Sequence, residues 1–278
     1  MIKNILVHLD GTSDDEWRVA HAEPIAKAFG AYITGLFLNR IASGTMPVEA
    51  GYVGEEVLKD LIARAREEGD QAEKGIAERL TRLNLPYEIR RIDASFEKVI
   101  EAATLEARTA DICLMLRPYS EGGSSRWMGI VEGVLFGSGR GVLIVPDKNP
   151  VRQAIEHVTI AWNESREAAH AVAEAMPFLK NAREVTIIMV DPKPETMSHP
   201  PGARLAQYLD HHGVKADLRI AHAHGYKVPE VLAREAEQDR TDLLVAGGYG
   251  HARIREWILG GVTRTLLHRS SIPLLLAH

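Results

Sequence analysis

The chain has 278 residues, 45% of them hydrophobic and 26% charged, with a formal net charge of −5 at pH 7. This profile fits a globular protein and excludes a disordered or fibrous one, and its acidic balance argues against a broad nucleic-acid or anionic-membrane surface. Length alone suggests two domains of about 140 residues, each able to bury a core without metal or disulfide.

Taken in chain order, Met1–Val7 runs straight into an apolar strand, with no signal-peptide h-region. No apolar run approaches the ~18 residues of a spanning helix. A cytoplasmic protein is expected. Apolar runs near 3–9, 32–38, 87–93, 111–116 and 141–145 read as strands, and amphipathic stretches of helical period separate them. The segment from about Gly54 to Leu83 carries one apolar stripe (Val57, Leu58, Leu61, Ile62, Ile76, Leu80) among many charges, as a crossover helix would. The single cysteine, Cys113, lies in the run Ile112-Cys113-Leu114-Met115-Leu116 and reads as buried filler rather than a reactive thiol. Further strands are expected near 156–162, 184–190, 216–222, 242–246 and 273–277, with a shorter second crossover helix after the breaker Pro200-Pro201-Gly202.

The second set of strands repeats the first. Ile2–Asp10 corresponds without gaps to Ile155–Asn163, and the same offset places Pro24 on Pro177. A second ungapped block aligns Tyr87–Asp111 with Leu218–Asp242, and Gly141–Val145 matches Pro273–Ala277. Two diverged copies of one α/β domain follow, spanning 1–149 and 150–278 and joined by the short polar linker Asp147-Lys148-Asn149-Pro150. Continuous apolar strands such as Leu243-Leu244-Val245-Ala246 indicate parallel sheets covered on both faces, so each half is expected to be a doubly wound sandwich.

In such folds a ligand sits beyond the carboxyl ends of the strands where the strand order reverses. There the second copy carries Ala246-Gly247-Gly248-Tyr249-Gly250-His251 and, after a spacer, Leu259-Gly260-Gly261-Val262-Thr263-Arg264 entering a helix. Glycines let backbone approach a phosphate, and the free N–H groups of a helix start favour an anion. Glycines also serve as ordinary turns.

The spacing Gly247-x2-Gly250-x9-Gly260, with Ala161-Trp162-Asn163-Glu164-Ser165 after the first strand of that copy, resembles the nucleotide-binding signature of the universal stress protein family. The resemblance covers both halves and implies a tandem member with the adenine-nucleotide alpha-hydrolase-like fold and an ATP-type ligand, with Mg. It implies that Ala161, Trp162 and Asn163 line the base side and that Val190 lies near the adenine. Gly247, Gly250, Gly260, Gly261, Val262 and Thr263 would cradle ribose and phosphates, with His251 and Glu164 within reach of them. Two positions depart from the family pattern. Asn163 stands where an aspartate is usual, and Gly261 where a serine or threonine is usual.

In the first copy Leu116 and Tyr119 occupy the positions of Gly247 and Gly250 and bring side chains into the phosphate space. Asp10 matches the family aspartate, but without a glycine loop it reads as a helix cap. Gly122-Gly123-Ser124-Ser125 reads as a loop in place of the glycine signature. This copy is therefore expected to be a structural half.

Other candidates are weaker. His222 and His224, expected two apart on a strand, would share one face, near His211-His212, but lack the cysteine or carboxylate spacing of a metal site. Trp127 and Trp257 read as core or interface anchors. No P-loop, Gly-x-Ser-x-Gly elbow or His-Glu-x-x-His helix is present. The leading expectation is a stress-response module that binds adenine nucleotide in the second half and signals to protein partners. A weak ATP hydrolase and a module with neither pocket occupied remain alternatives. The apolar closing strands of the two halves are expected to pair within one chain as an intramolecular pseudo-dimer, giving a monomer or homodimer.

Overall fold

The computed structural model describes residues 1–42, 55–119, 127–147, 151–192, 199–248 and 261–278. The first half runs β1 (Asn4–Leu9), α1 (Asp15–Phe29), β2 (Tyr32–Arg40), α2 (Glu55–Arg82), β3 (Tyr87–Ala94), α3 (Phe96–Ala107), β4 (Ile112–Leu116), α4 (Met128–Gly137) and β5 (Val142–Val145). The second runs β6 (His157–Ala161), α5 (Arg166–Asn181), β7 (Glu184–Val190), α6 (Ala203–His211), β8 (Asp217–Ala221), α7 (Val228–Gln238), β9 (Leu243–Gly247), α8 (Gly261–Arg269) and β10 (Leu274–Ala277). Each strand falls within two residues of its expected bounds. The linker residues Asn149 and Pro150 lie outside the described residues.

The ten strands form one sheet in the order β3-β2-β1-β4-β5-β10-β9-β6-β7-β8. Within each half every pairing is parallel, as crossover helices demand. Within the sheet, the described residues of the two halves join through one antiparallel pairing, Leu274 against Ile144, Leu275 against Leu143 and Leu276 against Val142. The expected pairing of closing strands is thus present within the chain, and it turns two five-stranded sheets into one.

Alternation along each strand divides the core into two layers. Ile5, Val7 and Leu9 face α1 and α2, where they meet Val19, Ala22, Ile25 and Leu80. Leu6 faces the other way, toward Val99, Ile130, Val131 and Val134 of α3 and α4. The second half repeats this, with α5 and α6 on the first face and α8 on the second. Cys113 is fully buried in the second layer, where burial pushes its thiol up to about 12.

The repeat extends to individual hydrogen bonds. Asp111 Oδ2 accepts from the Lys3 and Asn4 backbone N–H groups at 2.6 and 2.9 Å, tying the start of β1 to the start of β4. Asp242 Oδ2 does the same for Glu156 and His157, both at 3.0 Å. Pro24 and Pro177 lie inside α1 and α5.

Among the described residues no helix is long and apolar enough to cross a membrane. His222 and His224 do not lie on a strand, correcting that expectation. β8 ends at Ala221, and Asp191 then takes the Ala223 N–H (3.1 Å) and the His222 ring (3.2 Å), while His224 adopts φ 47°. Among the described residues no group of three His, Cys, Asp or Glu is placed to hold a metal ion.

Candidate functional site

The strand order reverses between β1 and β4 in the first half and between β6 and β9 in the second, so each half has one switch-point crevice. Equivalent residues can be read from the strand registers. His8 pairs with Leu36 as Ala161 pairs with Ile188, which makes Leu38 the counterpart of Val190. Leu6 pairs with Cys113 as Thr159 pairs with Leu244, which makes Leu116 the counterpart of Gly247.

The first crevice is filled by its own side chains. His8, Leu38 and Leu116 are buried, and the His8 ring meets Trp127 edge-on at 4.9 Å. Arg40 lies over the Phe96 ring at 4.6 Å beside them. Tyr119 is buried as well, but its ring stacks on His268 of α8 at 3.4 Å, so it seals the junction between the halves. Arg117 strengthens that junction, donating to the His268 carbonyl and pairing with Asp147 at 2.5 Å.

Asp10 does not cap α1, which corrects the sequence reading. The N-cap is Asp14, and Asp10 pairs instead with the fully buried Arg18 at 2.9 Å. Asp15 shares that guanidinium at 2.5 Å and accepts from the Asp10 and Gly11 backbone N–H groups at 3.1 and 2.9 Å. Burial penalises both carboxylates, but Arg18 holds Asp10 well below the usual carboxylate range, while Asp15, beside Asp10, remains raised. The loop after β1 thus receives a carboxylate from its own helix. Asp15 and Arg18 form an i,i+3 pair on α1, but which face that pair would present was not evident from spacing alone.

In the second half the loop after β6 follows the same backbone path with different residues. Gly11 (φ 76°) and its counterpart Glu164 (φ 60°) share the left-handed conformation, and Asn163 Oδ1 accepts from Ser165 N at 3.2 Å as Asp10 Oδ1 accepts from Thr12 N at 3.1 Å. Ala168 and Ala171 stand where the first half has Asp15 and Arg18. Ala161 and Val190 pack on one face beside Ile188 and Ala221. The Trp162 side chain turns to the opposite face, against the layer beneath α5, while its backbone N–H donates to the Ile188 carbonyl at 2.9 Å.

Gly247 is a packing glycine. A Cβ there would lie 2.5 Å from the Ala168 nitrogen and 2.8 Å from the Glu167 carbonyl carbon, so its absence lets the first turn of α5 press against the end of β9. Ser165 caps that turn by accepting from Ala168 N at 3.1 Å. Gly261 opens α8, and a Cβ there would meet nothing within 4 Å. Of the two residues after it, Val262 is exposed and Thr263 buried. Ala161, Val190 and Gly247 therefore end three neighbouring strands, with Asn163 in the loop just after β6. Gly250, His251, Gly260 and Trp257 lie outside the described residues, as does Gly122-Gly123-Ser124-Ser125.

An open, mostly parallel α/β sheet with a switch-point crevice of small residues is the architecture of nucleotide-binding and related ligand-binding α/β proteins. Residues 154–278 match the universal stress protein family. A 62-residue segment is 36% identical to a universal stress protein of Synechocystis sp., covering 22% of this chain and about a fifth (20%) of that relative's length. Among solved structures, a universal stress protein from Archaeoglobus fulgidus DSM 4304 aligns over 99% of this chain and 97% of its own, with TM-score 0.70 and 17% identity. A functionally unknown protein from Pseudomonas aeruginosa PAO1 aligns over 99% and 92%, with TM-score 0.59 and 15% identity. The second half of the chain belongs to the universal stress protein family, and the whole chain has the fold of a solved member.

Proposed function

We propose that the chain is two tandem domains, 1–149 and 150–278, and that the second binds ATP or a related adenine nucleotide in the β6–β9 crevice. The first domain is then its plugged counterpart. The protein acts as a cytoplasmic stress-response binding module whose surface toward protein partners depends on occupancy.

One observation carries this reading. At two equivalent positions beside the switch point, the side chain shrinks from the first half to the second: His8 to Ala161 and Leu38 to Val190. Beside them Asp15 becomes Ala168, so the second half has no carboxylate at that position to engage the amides of the loop after β6. Bulk and charge are withdrawn together, as a site open to an anionic ligand requires. The open space at Gly261 means that the hydroxyl usual in the family is missing there without any steric reason. ATP with Mg is accordingly the ligand to test first, with Thr263 and the amides at the start of α8 on the phosphate side.

The test rebuilds the plug. ATP at about a hundredfold over its Kd stabilises a protein by about 2.7 kcal/mol, which for a chain of this size raises the melting midpoint by roughly 5–10 °C. Ala161→Leu, which restores side-chain volume at the end of β6, should abolish that rise while leaving the ligand-free midpoint within a few degrees. No rise at millimolar ATP, or an undiminished rise in Ala161→Leu, would sink the proposal. Phosphate release that disappears in the same variant would make the site catalytic as well.

A further inference from the structure

Among the described residues the ten-stranded sheet ends in two strands, β3 and β8, each paired on one side only. The 28-residue helix α2 packs on β3, where Arg91 pairs with Asp70 and Glu73 of that helix. On the corresponding face of β8 stands α6, with only nine residues. Strand registers make Leu218 and Ile220 of β8 the counterparts of Ile89 and Arg91 of β3. The shorter helix leaves both uncovered: Leu218 is 40% and Ile220 39% exposed, and Tyr208 of α6 is 43% exposed.

The Ala221 carbonyl accepts from Asp191 N on the β7 side. Backbone groups alternate sides along a strand, so the N–H and C=O groups of Leu218 and Ile220 point to the open edge. Such an edge pairs with another strand unless charges oppose it. β3 carries four charges in eight residues, Glu88, Arg90, Arg91 and Asp93. β8 carries two of opposite sign, Asp217 and Arg219, on the face away from Leu218. Two copies of β8 laid antiparallel about a two-fold axis at Leu218 set Asp217 opposite the partner's Arg219, twice over. Asp217 is exposed and makes no ion pair among the described residues, and Arg219 reaches Asp239 and Glu235 of α7 through Nη1 alone. The chain already joins its own halves by antiparallel edge pairing, β5 against β10.

We propose that β8 is the docking edge for a second copy of this chain, giving a homodimer in which two ten-stranded sheets run on into one. Leu218 lies opposite the partner's Leu218, and Ile220 opposite the partner's Ala216. An apolar strip thus fills the gap between the two short α6 helices, while the Asp217–Arg219 pairs form on the α7 face. One strand edge with its flanking helices sits at the low end of specific interfaces, under about 1,200 Å² in total, so the dimer is reversible. Nothing in this proposal depends on nucleotide binding.

Sedimentation velocity on the full-length chain should show the mass doubling with concentration, with a Kd of about 1–100 μM. Asp217→Arg, which sets arginine against arginine at two symmetry-related places, should weaken the dimer about tenfold while the circular dichroism stays that of the parent. Cysteines report the register, because the native Cys113 is buried. Leu218→Cys puts two Cα atoms about 5.5 Å apart, within disulfide range, so mild oxidation should link the dimer. Ile220→Cys lies on the same face with the same exposure, but its two copies stand roughly 13 Å apart and should not link. The proposal is overturned if the chain is still monomeric at about 500 μM, well above that Kd range. An undiminished dimer in Asp217→Arg, or Ile220→Cys linking as readily as Leu218→Cys, overturns it too. So does an extended peptide of another protein that adds to β8 while the chain itself stays monomeric.

Discussion

The loops after β1 and β6 follow the same backbone path, with the left-handed turn at Gly11 and Glu164 and the same side-chain bond two residues on, yet they are completed by opposite chemistry. After β1, Asp10, Asp15 and Arg18 close a buried ionic cluster around the loop. After β6, an asparagine and two alanines leave the equivalent ground uncharged. The comparison teaches that one backbone path can be completed in two ways, by a buried ionic cluster drawn from the following helix or by uncharged side chains at the same positions.

Removing the guanidinium should produce the largest effect. Arg18→Met leaves two carboxylates buried without their cation, and breaking one side of a buried pair costs about 3–5 kcal/mol. Urea unfolding should show a loss of that size, and a loss below 1 kcal/mol would mean that the cluster is dispensable. The acid limb sharpens the point. Asp10 is held below its ordinary 3.8 in the folded chain, so its contribution is present above that pH and is lost as pH falls through the folded value. Asp15, raised in the fold, acts in the opposite sense: its contribution is present below 3.8 and declines as pH rises. The stability difference between the parent and Asp10→Asn should therefore be widest near neutral pH and shrink below about pH 3.8. A difference independent of pH would remove the ionic explanation.

Much of this was legible from residues alone. The strands were readable because sheets buried on both faces demand continuous apolar runs, as in Leu243–Ala246, and the repeat was readable because Asp111 and Asp242 hold the same place in each copy. The contrast of Leu116 with Gly247 was equally visible. What could not be read were contacts made through space. Arg18 offers no sign in sequence that α1 turns it inward to Asp10, and Tyr119 stacks on His268, 149 residues further along the chain. The role of Gly247 in admitting the first turn of α5 also depends on how helix and strand approach, which spacing does not specify.

The matched aspartates give a mid-sized test of the duplication. Asp242→Ala and Asp111→Ala each remove the acceptor of two backbone N–H groups. Asp242 is buried and also lies 3.4 Å from Arg152, whereas Asp111 is partly exposed. Charged hydrogen bonds of this kind contribute about 1.5–3 kcal/mol, so Asp242→Ala should cost about 2–3 kcal/mol and Asp111→Ala about 1–2. The reverse order in denaturant unfolding would show that the two tethers no longer do the same work.

The smallest effect separates the two helices that follow the compared loops. At the start of α5, Ser165 is extended (φ −78°, ψ 159°) and its side chain accepts from Ala168 N, satisfying one of the helix's free amides. At the start of α1, Asp14 is already helical in backbone (φ −67°, ψ −19°) and makes no capping bond, since Asp15 serves the loop instead. Ser165→Ala should therefore cost about 1 kcal/mol, and Asp14→Ala only the few tenths due to a negative charge near a helix N-terminus. Salt separates the two causes. The Asp14→Ala effect should vanish at about 1 M NaCl, where the screening length falls to about 3 Å, while the Ser165→Ala loss should persist because a hydroxyl-to-amide bond carries no net charge to screen. Equal costs for the two substitutions, or a Ser165→Ala loss that salt abolishes, would mean that the second half does not cap its loop-facing helix differently from the first.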